Sequence, residues 1–182
     1  VRLLTVGHGP APREVLGPRL SAAGVDLVVD VRRFPGSRSN PDVGREALAA
    51  WLPGVGVGYR WEERLGGRRH LPTGEPVADD WWTVAQFAAY AAHTRTPEFA
   101  AALDEVLAEA AAATVAVMCS ESVWWRCHRR LIADVVVLGR GLPVRHLLPD
   151  GRTTPHPPAE GAVLGPDGLV RWPAAPRGDQ GT

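Results

Sequence analysis

Both cysteines of the chain fall in one short stretch, Cys119-Ser120-Glu121-Ser122-Val123-Trp124-Trp125-Arg126-Cys127-His128-Arg129-Arg130, which sets thiols, an imidazole, a carboxylate and guanidinium groups close together in sequence. Each type has its own chemistry. Cys127 is a candidate nucleophile, because neighbouring cations and a helix start lower a thiol pKa. Its spacing with Leu131 and Val135 equally suits a buried structural thiol. A phosphatase or sulfurtransferase loop of the Cys-x5-Arg kind fails on spacing, since six residues separate Cys119 from Arg126. Cys119, Cys127 and His128, with His8, would make a soft metal-ligand set, but the close Cys-x2-4-Cys pair of structural zinc sites is absent. No cofactor is therefore predicted, and a divalent metal is the one these donors admit. Glu121 is the preferred general acid/base, with Trp124 and Trp125 as apolar bulk and arginines as charge to tune it. His128 and His8 are candidate proton-transfer groups; a lone imidazole is also often just a satisfied core residue. Asp30, between Val29 and Val31, is expected to be buried and to need a partner, which makes it structural first and catalytic second.

The anion-binding chemistry is arginine chemistry. All 20 basic side chains are arginine, which rules out a lysine Schiff base and supplies planar forks suited to phosphate or carboxylate. Arg32, Ser37 and Arg38 lie in a Pro/Ser-rich loop, Arg68 follows the Gly66-Gly67 pair, and Arg129 stands at the expected start of a helix, where free backbone N–H groups also favour an anion. Tyr59, Trp61 and Trp125 are candidate stacking faces for a base, against the commoner role of tryptophan in a core.

These residues need elements to hold them. Leu3–His8, Asp26–Arg32, Tyr59–Trp61, Thr114–Cys119 and Pro143–Leu148 read as strands. Pro12–Ala23, Arg45–Leu52, Val84–His93, Pro97–Ala113 and Arg126–Leu138 read as helices, with Val15, Leu16, Leu20 and Ala23 on one face of the first. Gly66–Asp80 reads as a loop. The alternation predicts a three-layer α/β/α, Rossmann-like fold with a mostly parallel sheet, and such sheets bind ligands beyond the carboxyl ends of their strands, where His8, Arg32, Cys119 and Glu121 fall. One domain over 1–148 is expected, followed by a Pro/Gly-rich extension over 149–182 in which only Leu169–Trp172 reads as a packed segment.

Thr5-Val6-Gly7-His8, Val29-Asp30-Val31-Arg32 with Pro35 and Ser37-Arg38, Leu65-Gly66-Gly67-Arg68, Met118-Cys119-x-Glu121 and Cys127-His128-Arg129, in that order, resemble the domain-of-unknown-function family 488 from about Leu3 to Leu148. The resemblance implies a compact three-layer α/β fold. It also implies a common site drawn from His8, Asp30, Arg32, Ser37, Arg38, Arg68, Glu121, Cys127, His128 and Arg129. The chain departs from the family pattern at Gly9, where serine is common.

The expected function is hydrolysis of a nucleotide or nucleic acid, with N-glycosidic cleavage in DNA repair as one form of it. The alternatives are a cysteine-based redox or metal-binding protein using Cys119, Cys127 and His128, and a noncatalytic module that binds an anion. A formal net charge of +0 argues against tight nonspecific DNA binding. Two cysteines, no signal-like opening and no apolar run of membrane-spanning length suggest the cytoplasm and no membrane partner.

Overall fold

The computed structural model describes residues 2–71 and 78–174. The part of the Gly66–Asp80 loop that falls on 72–77 lies outside them. In chain order the elements are β1 (Arg2–Gly7), α1 (Arg13–Ala22), β2 (Leu27–Asp30), α2 (Arg45–Trp51), β3 (Gly58–Trp61), α3 (Ala85–His93), α4 (Pro97–Ala112), β4 (Thr114–Cys119) and α5 (Arg129–Asp134), which continues into a π-helical turn over Val135–Gly139. Then come β5 (Val144–Leu147), β6 (Thr153–Pro155), β7 (Val163–Leu164) and β8 (Val170–Arg171). Among the described residues no helix is long and apolar enough to cross a membrane.

Six strands form one sheet in the order β3-β2-β4-β1-β5-β6, parallel except for β6. Alternation along the strands splits the interior into two layers. Leu3, Val29, Val115 and Val117 face the helices α3, α4 and α5 through Phe99, Leu103 and Leu131. Leu4, Val6, Val28, Ala116 and Met118 face α1 and α2 through Leu16, Leu20 and Leu48. This is the expected α/β fold with helices on both faces of a mostly parallel sheet.

Local chemistry accounts for where several elements begin and turn. Thr96 caps α4 by accepting a hydrogen bond from Phe99 N at its side-chain oxygen, with Pro97 in the first turn where its missing N–H costs nothing. Pro18 is tolerated inside α1 because it and Glu14, whose carbonyl it leaves free, are exposed to water. The buried face of α1 is Leu16, Gly17 and Leu20, while Val15 is 47% exposed. That corrects the expected face by one position: a side chain at Gly17 would stand 3.3 Å from the Trp51 ring, so α2 packs where α1 has no side chain.

Two further differences concern the start of α5 and the C-terminal extension. The helix expected from Arg126 starts at Arg129, because Trp124–Arg126 forms a 3-10 turn and Cys127 is extended. The C-terminal extension carries more structure than its composition suggests: β6 pairs antiparallel with β5, and Trp172 is fully buried beside β8.

Candidate active site

The chain leaves β1 toward β2 on one side of the sheet and leaves β4 toward β5 on the other, so the carboxyl ends of the neighbouring strands β1 and β4 form a switch point. Backbone bonds from His8 N to Cys119 O and from Gly9 N to Ser120 O carry the pairing past the strand ends. A cavity of about 640 Å³ opens there. Its walls include His8, Arg32, Arg33, Phe34, Ser37, Arg68, Phe87, Tyr90, Glu121 and Arg126, together with Cys119, Cys127 and His128.

The two sulfurs and His128 Nδ1 lie within 4.8 Å of one another, and each sulfur is 3.7 Å from Nδ1. His128 Nε2 is 3.1 Å from the carbonyl oxygen of Val31. A carbonyl only accepts, so Nε2 carries the proton and the Nδ1 lone pair faces the sulfurs. Gly67 packs on that ring; a Cβ there would stand 2.9 Å from Nδ1. The ring also meets Tyr90 edge-on at 4.9 Å, and Tyr90 in turn donates from its hydroxyl to Leu65 O.

Arg129 is buried beneath this cluster, 1% exposed, and its Nε donates to Cys127 Sγ at 3.3 Å. Burial alone would hold the Cys127 thiol up, but the hydrogen bond from Cys119 and the Arg129 charge outweigh it, so Cys127 is the sulfur that ionises first. The bond to Cys127 and then burial push the Cys119 thiol up. Arg129 Nη2 donates to the backbone carbonyl of Glu121, which ties the carboxylate's loop to the same guanidinium. Gly7 permits that approach, because a Cβ on it would lie 1.8 Å from the Glu121 oxygen.

On the second strand, Asp30 is fully buried and forms a bidentate pair with Arg32 through Nε at 2.8 Å and Nη2 at 2.6 Å. Tyr59 also donates to it from its hydroxyl, and burial followed by the Asp30 charge raises the phenol pKa. Arg32 donates further to Val43 O and to His8 Nε2, so four of its five N–H groups are engaged and one remains. His8 donates from Nδ1 to Gly9 O, and burial lowers its pKa, which keeps the ring neutral.

The expected site residues thus divide. His8, Arg32, Ser37, Arg68, Glu121, Cys127 and His128 share the cavity wall, and Cys119 joins them. Arg129 and Asp30 act from behind that wall through Cys127 and Arg32. Arg38 is exposed and lies outside the lining. Trp61, Tyr59 and Trp125 do not line the cavity either: Trp61 donates to Arg32 O under Arg45, Tyr59 is held by Asp30, and Trp125 stands edge-on to Trp124 at the surface. Arg130 stacks over Trp81 and Trp82 instead of reaching the cavity. The aromatic faces that do line it, Phe34, Phe87 and Tyr90, were not singled out in the sequence; only the packing of α3 against the site reveals two of them. The six-residue α5 is too short to make its start an anion site, so charge at this wall comes from side chains.

The family model described as "Domain of unknown function DUF488" matches residues 11–136. No curated protein and no solved structure matches the chain.

Proposed function

The chain belongs to the DUF488 family of domains of unknown function, and from the cavity at its switch point we propose that it is a hydrolase of anionic, nucleotide-class substrates. The observation that carries this reading is the company Glu121 keeps. Its exposed carboxylate lines the cavity and has no hydrogen-bond partner among the described residues, while Arg33, Arg68 and Arg126 line the same space. A volume of about 640 Å³ suits a nucleotide-sized ligand. Arginines hold the phosphate, Phe34 and Phe87 offer faces to the base, and Glu121 takes a proton from water and returns it to the leaving group. The remaining N–H of Arg32 and the neutral His8 ring complete the polar lining. Base release from a nucleoside or a DNA strand is the finer form of the reading; a duplex substrate would require the base to be turned out of its stack first.

The test is incubation with panels of nucleotides and base-modified oligonucleotides, read by mass spectrometry, beside Glu121→Gln. Release of a base or phosphate that falls by roughly 10²–10⁴-fold in the variant supports the reading. Release that Glu121→Gln leaves unchanged removes it. A second reading, covalent attack by Cys127, is favoured by the Arg129 Nε contact to its sulfur. Rapid alkylation of Cys127 at neutral pH with matching loss of turnover would select it.

A further inference from the structure

We propose that Cys119, Cys127 and His128 are the three protein ligands of a zinc ion whose fourth position opens into the cavity. The distances carry the argument. Tetrahedral zinc with Zn–S of about 2.3 Å and Zn–N of about 2.05 Å sets each sulfur about 3.6 Å from the nitrogen. Both sulfurs stand 3.7 Å from His128 Nδ1. The tautomer agrees: Val31 O takes the Nε2 proton, and this outer hydrogen bond is the usual support of a ligating imidazole. Arg129 plays the same outer role toward Cys127, and two thiolates with Zn²⁺ are neutral in sum, so the buried guanidinium meets no net positive charge. Both thiols give up their protons to cavity water on binding.

The composition of the site selects the metal and its use. Two thiolates and an imidazole favour zinc over magnesium or calcium, which take oxygen ligands. All three donor residues line the cavity, no fourth donor joins them among the described residues, and three protein ligands with one free position is the pattern of a site that binds water or substrate, where a closed structural site would have four. Strand β4 supplies Cys119 and the segment before α5 supplies the other two, which is why the sequence lacks the close cysteine pair. The consequence for turnover, a water made acidic in the cavity that Glu121 also lines, rests on the hydrolase reading; zinc binding itself does not.

The experiment uses the reduced full chain, stripped with a chelator and titrated separately with Zn²⁺ and Co²⁺. One metal per chain, sulfur-to-cobalt charge-transfer absorption and protection of both cysteines from iodoacetamide by zinc are expected. His128→Gln weakens zinc binding by at least roughly the tenfold that loss of a mere supporting contact causes at such sites. Arg38→Gln, outside the cavity, leaves zinc binding unchanged and controls for general damage. A folded wild-type chain that retains no zinc and shows no sulfur-to-cobalt absorption overturns the proposal, even if it hydrolyses nucleotides. Zinc bound without any hydrolysis upholds the site and removes the hydrolase reading instead.

Discussion

Gly7 and Gly67 do opposite kinds of work at the site, and both show how little room it has. Gly7 lets the Glu121 carbonyl come down onto β1, within reach of Arg129; Gly67 lets a loop close over the His128 ring. Gly7→Ala places a methyl group against a backbone oxygen that no rotamer change can move. We expect it to destabilise the fold by roughly 1–3 kcal/mol, seen as a shifted denaturant midpoint, and to depress turnover by displacing Glu121. A variant with unchanged midpoint would show that the Glu121 loop is free to lift. Gly9, the position where the family commonly has serine, has a φ of +53°, and a Cβ on it would lie 2.1 Å from Ser122 Oγ. In this chain Ser122 fills the space a side chain at position 9 would take.

At the scale of elements, one buried polar chain crosses the join between the C-terminal extension and the sheet. Thr5 meets His146 on β5, His146 meets His156 just after β6, and His156 meets Asp134 on α5. Asp134 also accepts from Trp172 Nε1 and Ala159 N, and Trp124 stacks flat on His146 with 4.2 Å between ring centroids. Trp172→Ala should cost about 3–5 kcal/mol, since it empties a fully buried site and strips Asp134 of a donor, and should make the extension the first place a protease cuts. Unchanged stability and cleavage would mean that the extension is only loosely attached. This join is also where the sequence was least legible. Strands β1, β2 and β4 announce themselves through apolar, β-branched runs, and α4 through its threonine-proline start and apolar stripe. Thr153–Pro155 has no such pattern, because its pairing depends on the exposed edge of the partner strand just before it, in the register Arg145↔Pro155 to Leu147↔Thr153. The site was legible as a set of strand-end polar residues but not as an arrangement: nothing in the spelling of Tyr59 or Trp61 says that Asp30 and Arg32 hold them away from the cavity.

The whole molecule keeps several imidazoles neutral in its interior. Burial lowers the pKa of His93, and burial with the charges of His156 and Arg129 lowers that of His146 to about 3, both from an ordinary value of 6.5. The unfolded chain therefore takes up protons at these positions first as the solution is acidified, and their share of the stability is full above pH 6.5 and shrinks as pH falls toward 3. Melting temperature should decline between pH 7 and pH 5, above the range in which carboxylates titrate, and a flat profile there would show that other groups compensate. Trp172 and the His156–Asp134 bond give the fold a further property in time. A ribosome delivers β5 shortly before β6, and Trp172 only after both, so the nascent domain passes through an interval in which Asp134 lacks the donor of Trp172. A chain that ends short of Trp172 lacks that donor for good, and it should be cleared by proteolytic surveillance faster than the full chain.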